Sequence, residues 1–175
     1  MSLSVPKLSR ALRHTRRIEA QAFEREDGLW DIDTRITDTK TRVADLASGA
    51  RPPGSPIHDL WLRITIDTSL TIVDAEAASY AVFCLKYSNT IGAAYKNLIG
   101  LNLMRGFRRE LRERLAGIEG CTHLTELAGI LPTAAIQAFA GDVLPTRDGQ
   151  VDDQSGHPPF QLDRCHALQI GRAHV

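Results

Sequence analysis

Two stretches of the chain carry side chains that can bind a metal ion or act as nucleophiles. The first is "GCTHLTEL", residues 120–127, in which Cys121 and His123 bracket Thr122. Threonine is a favoured N-cap residue, so a helix is expected to start here. The N-terminus of a helix presents free amides and partial positive charge, which favour thiolate over thiol. Thiolate is the form that binds a metal or attacks an electrophile. A Cys-x-His spacing brings both side chains near one point if the first residue is still extended. The second stretch is "HDLWLRITI", where His58 and Asp59 open a strand directly after a Gly/Pro-rich loop. A sheet end can hold such side chains rigidly. Cys84 adds a third position, just beyond the return strand of the same hairpin. Thiolate, imidazole and one carboxylate suit zinc or ferrous iron and do not suit magnesium or calcium. The expected metal ligands are Asp59, Cys84, Cys121 and His123, with His58 as a further or alternative donor.

Each of these residues also has a structural reading. Cys84 sits among Val82, Phe83 and Leu85, and a free cysteine packs like a small hydrophobe. Asp59 could be a turn residue before a strand. Cys165-His166 could form another donor pair, beyond a polar linker. Trp30, Trp61 and Phe107 read as packing residues, and Asp31 and Asp38 as residues of exposed strand edges and turns. Three functions therefore stay open. They are a mononuclear metal-binding protein, a small enzyme with Cys121 as nucleophile and His123 or His58 as base, and a non-catalytic accessory protein with core cysteines.

The elements that must position these residues follow from periodicity. Ile18, Ala20 and Ala22 alternate with polar residues, as do Trp30, Ile32, Thr34 and Ile36, and Asp27-Gly28 between them signals a hairpin over 17–40. The segment 47–56, "ASGARPPGSP", reads as a loop. A second hairpin is expected over 57–78, with Leu60, Leu62, Ile64 and Ile66 on one face and "DTSL" as its turn. After residue 79 alternation ends, and helices are expected over about 87–140. One lies between 87 and 104, an amphipathic one spans 106–116, and a third runs from about 122 to 139, kinked or divided by Pro132. A polar linker, 141–159, leads to a short strand candidate, "QLDRCHAL". Strands followed by helices predict an α+β fold, an antiparallel sheet of two hairpins with about three helices on one face. The expectation is a single domain over 1–168. The last residues, "QIGRAHV" (169–175), read as a non-native, adapter-derived tail, so His174 is given no role.

Bulk properties narrow the partners. Lys+Arg and Asp+Glu are both 21, so no net field draws the chain to nucleic acid or an acidic membrane. The basic run "RGFRRELRERLAG" reads as the solvated face of an amphipathic helix. There is no apolar run long enough to span a bilayer and no signal-peptide core. Three cysteines do not make a disulfide framework. A cytoplasmic protein is expected, with a protein partner or an unidentified small-molecule substrate.

Two resemblances accompany this reading. Over residues 56–139 the order of elements is similar to iron–sulfur scaffold proteins of the IscU/NifU type. Those have a hairpin opened by Cys-Gly-Asp, a second cysteine after the return strand, and a third at the start of a late alanine-rich helix. "IHDLWLRITI" resembles the first segment, with Asp59 at the Asp position and Ile57 where a cysteine would stand. "SYAVFC" resembles the second, through Cys84, and "GCTHLTELAGILPTAAIQAFA" the third, through Cys121. The scaffold's histidine precedes its late cysteine, whereas His123 follows Cys121. With one thiolate missing, the resemblance implies a mononuclear site in place of a cluster. The chain also resembles an uncharacterised bacterial family, domain of unknown function 2889. "REDGLWDIDTRITDTK", "GSPIHDLWLRITID", "LIGLNLMRGFRREL", "GCTHLTEL" and "LDRCHAL" carry that likeness, which brings no activity with it.

Overall fold

The computed structural model describes residues 3–81 and 88–144. Cys84, the linker beyond residue 144, Cys165, His166 and the 169–175 tail lie outside the described residues. By its contacts the chain divides into two units, Met1–Ala135 and Ile136–Val175. In the second, described to Leu144, the amides of Val143 and Leu144 donate to the Phe139 carbonyl at 2.9 and 2.7 Å.

The first unit is built on a four-stranded antiparallel sheet of order β1-β2-β5-β6. Strands β1 (His14–Glu24) and β2 (Trp30–Lys40) pair in unbroken register from His14↔Lys40 to Glu24↔Trp30. At their turn Gly28 takes a φ of +81°, open to glycine at no steric cost. Strands β5 (Pro56–Ile66) and β6 (Ile72–Ala81) form the second hairpin, and β5 lies beside β2. The loop expected over 47–56 is partly ordered. A small hairpin, β3 (Ala44–Leu46) and β4 (Gly49–Arg51), forms where Gly49 adopts a φ of +108° and lets the chain reverse.

Alternation decides which face becomes core, because successive side chains of a strand point to opposite sides. On β2, Trp30, Ile32, Thr34, Ile36 and Asp38 are buried, while the residues between them are half-buried. On β5, Leu60, Leu62, Ile64 and Ile66 continue the same buried face. The chain then forms α1 (Ser88–Ala94), a 3₁₀ turn (Tyr95–Leu98), α2 (Phe107–Leu115) and α3 (Thr122–Phe139). This is the α+β order of strands, then helices. In α2, Phe107, Leu111 and Leu115 are buried and the arginines between them face outward, as the amphipathic spacing requires.

Helix α3 starts and ends as its pattern suggests, but it runs unbroken through Pro132. A proline removes only one helical hydrogen bond, and here the fully buried Leu127, Ala128, Leu131 and Ala135 hold the stripe against that loss. Thr133 also donates its hydroxyl to the Ile130 carbonyl at 2.9 Å. Among the described residues, no helix is long and apolar enough to cross a membrane.

Candidate metal centre

One rung of the sheet carries the chemistry. Arg16 of β1 stands directly opposite Asp38 of β2, and Asp38 stands directly opposite His58 of β5. All three share the core-facing side, at the end where the apolar residues give out. Asp38 is 1% exposed, and four donors surround its carboxylate. His14 Nε2 (2.8 Å) and Arg16 Nε (2.9 Å) address Oδ1. Arg16 Nη2 (2.9 Å) and His58 Nδ1 (3.0 Å) address Oδ2.

The start of α3 closes over this rung. His123 stacks obliquely on His58, with ring centroids 4.0 Å apart and planes inclined by 36°. Its Nε2 lies 3.7 Å from Asp38 Oδ2, and its Nδ1 lies 4.0 Å from the Cys121 sulfur. Glu126, one turn further on, accepts from Arg16 Nη1 at 2.6 Å and ties α3 to β1. What places the helix is Tyr95, fully buried, from the 3₁₀ turn. Its hydroxyl donates to the Cys121 carbonyl (2.9 Å), accepts from the Cys121 amide (3.1 Å), and lies 2.9 Å from the Thr125 hydroxyl. The Cys121 carbonyl also takes the first helical bond, from the Thr125 amide at 2.8 Å. Cys121 therefore occupies the cap position expected for Thr122, and main-chain bonds to a phenol replace a side-chain cap. Gly120 is required just before it, since a Cβ there would overlap the Leu115 carbonyl.

Two carboxylates and one guanidinium set the electrostatics of the cluster. Burial opposes ionisation of Asp38, but the hydrogen bond from Arg16 and those from His14 and His58 hold its carboxyl well below the usual range. His123 is pushed below its ordinary value of 6.5, first by burial, then by His58 and Arg16 beside it; Asp38 and Glu126 oppose this only in part. Its imidazole is thus neutral, with a lone pair to give, at neutral pH. With neutral histidines, Asp38 and Glu126 outweigh Arg16 by one negative charge. Asp38, His58 and His123 each offer a ligand atom, and these atoms lie within 4.8 Å of one another. Tetrahedral ligands of a zinc ion stand roughly 3.4 Å apart, so side-chain movements of about 1 Å would bring these three to ligand spacing.

Of the expected donors the structure brings His58 and His123 together, while Cys121 reaches only the other ring nitrogen of His123, at 4.0 Å. Asp59 lies on the opposite face of the sheet, where both its oxygens accept from Arg35, at 2.9 and 2.8 Å. Cys84 lies outside the described residues. Trp61, expected as a packing residue, is on that open face too, with the Arg35 guanidinium 4.9 Å from its ring centroid. Asp38, expected at an exposed strand edge or turn, is the buried centre of the cluster. Its signal was present in the sequence, because it falls in phase with Ile32 and Ile36 on the apolar side of β2. His14 and Arg16 likewise fall in phase with Ile18, Ala20 and Ala22. Charged residues in register with an apolar face need buried partners. Tyr95 and Glu126 left no such trace.

The fold and this centre define a small α+β protein with a His/Asp cluster at one sheet end. The family described as Protein of unknown function (DUF2889) matches over residues 14–137, and the chain belongs to it. That span holds every member of the cluster. No curated protein and no solved structure gives a significant match, so neither comparison shows the expected likeness to iron–sulfur scaffold proteins.

Proposed function

We propose that this protein binds a divalent transition metal, zinc or ferrous iron, through Asp38, His58 and His123; the Cys121 sulfur lies beside the other ring nitrogen of His123, outside this group. The observation that carries the reading is convergence. Three ligand atoms from a central strand, its neighbour and a later helix lie within 4.8 Å, and two imidazoles with one carboxylate are a donor set for these metals. Asp38 takes the carboxylate role that the sequence assigned to Asp59, because Asp59 stands on the opposite face of the sheet, paired with Arg35. Three protein ligands leave a position open, and an ion so held supplies Lewis acidity and an acidified bound water.

Elemental analysis of protein purified without a histidine tag tests this. The expected result is near-stoichiometric zinc or iron in the wild type and its loss in a His58→Ala/His123→Ala variant. Equal metal content in the two proteins overturns the reading.

A second reading rests on the order thiol, imidazole, carboxylate. The Cys121 sulfur is 4.0 Å from His123 Nδ1, and His123 Nε2 is 3.7 Å from Asp38 Oδ2. That is the arrangement of an activated cysteine nucleophile. Alkylation separates the two. A metal ligand reacts faster once a chelator is added, whereas a nucleophile reacts fast without chelator and slows in His123→Ala.

A further inference from the structure

Strand β1 is the least covered element of the sheet. Among the described residues nothing pairs with its outer edge, and all of its residues but Thr15 are exposed. On the side that β2 and β5 bury, Ile18 is 36% exposed, and Ala20 and Ala22 are also open. An unpaired edge presents a row of free amides and carbonyls, and proteins blunt such edges with prolines, bulges, very short strands or charged side chains. Of these devices this edge has only the charges, Arg16, Arg17, Glu19 and Glu24. It is eleven residues long, contains no proline, and keeps register with β2 throughout.

Its charges fit a second copy of itself. In an antiparallel β1–β1 pair about a two-fold axis perpendicular to the sheet, opposed residues must share a face, so the register centres on a residue. Centred on Glu19, like charges meet. Centred on Ile18, the two Ile18 side chains meet on the uncovered apolar side. Arg17 of each copy then faces Glu19 of the other on the opposite side, and Arg16 faces Ala20. Opposite charges directly across strands stabilise a pair, and like charges destabilise it.

We propose that this protein forms a symmetric dimer by antiparallel pairing of β1 with β1 of a second copy, in the register that opposes Ile18 to Ile18 and Arg17 to Glu19. The four-stranded sheets become one eight-stranded sheet, and the Ile18, Ala20 and Ala22 strips of both copies adjoin.

Sedimentation velocity over a concentration series tests the proposal on the whole chain. The wild type should be a dimer. Arg17→Glu and Glu19→Arg should each raise the dimer dissociation constant at least about tenfold, since each places two like-charge pairs across the axis. The double swap should restore dimerisation. Melting curves identify any variant that fails to fold, and for that case Ile18→Cys supplies a second reading. In the proposed register the two Ile18 backbones approach within disulfide range, so mild oxidation should cross-link Ile18→Cys dimers and leave Ala20→Cys uncross-linked. A monomer at every concentration, a dimer indifferent to the single swaps, or cross-linking favouring Ala20→Cys would each overturn it.

Discussion

Asp38 Oδ2 lies 3.0 Å from His58 Nδ1, across one rung of the β2–β5 pair. An ionised carboxylate can only accept, so His58 donates from Nδ1 and, when neutral, bears its lone pair on Nε2. A carboxylate that fixes a histidine's tautomer in this way also makes it a better ligand. Asp38→Asn keeps the shape and removes the charge. Cobalt(II) titration should show metal affinity lowered by about 10–100-fold. Denaturant unfolding should show a loss of roughly 2–3 kcal/mol, because Arg16 loses its partner. Unchanged affinity would show that Asp38 is not part of the centre.

The companion test is Asp59→Asn. Asp59 serves Arg35 on the far face of the sheet, so metal content should match the wild type, with a stability loss of roughly 1 kcal/mol from the broken bidentate pair. A loss of metal comparable to that in Asp38→Asn would return Asp59 to the ligand set.

Arg16 competes with any cation for Asp38. Replacing it with glutamine should tighten cobalt(II) binding on the order of tenfold, the scale of one unit charge on a divalent ion at this range in a solvated site. Glu126→Gln, which removes the anion that shares Arg16, should weaken binding. Calorimetric titration reads both, and shifts of the opposite sign would contradict the electrostatic account.

Tyr95→Phe removes the hydroxyl that joins the Cys121 carbonyl, the Cys121 amide and Thr125. The expected cost is about 1–3 kcal/mol, with weaker metal binding, because the first turn of α3 loses its anchor. Normal binding in a destabilised protein would separate the phenol's structural role from the placement of His123.

The metal-free protein should lose stability in acid, and the sign follows from His123. Its folded value lies below 6.5, so the unfolded chain binds the proton more readily. The stabilisation is complete above about pH 6.5 and fades as pH falls through the lower, folded value. Melting temperatures of chelated protein should therefore decline below about pH 6.5. His123→Gln should lose that part of the decline. Asp38, held well below its ordinary value of 3.8, adds a second loss that begins as pH falls towards about 4 and continues to its lower, folded value.

Period-two alternation located both hairpins, and helical spacing set the limits of α2 and α3. The donor types pointed to His58, Cys121 and His123 because imidazole and thiol carry the same chemistry wherever they stand. Local chemistry was legible for this reason. A strand's alternation depends only on its own residues, and so does the preference of a helix for its first turn.

The partner of each side chain was not local. His58 and Asp59 are neighbours in sequence yet point to opposite faces, and only pairing with β2 revealed that one faces Asp38 and the other Arg35. The carboxylate at the centre arrives from β2, the Arg16 and His14 side chains that donate to it from β1, and the second imidazole from α3. Such long-range register is decided when the apolar faces of the strands are buried together. The same burial carried Asp38 under the start of α3, a position its own neighbours in the chain could not disclose.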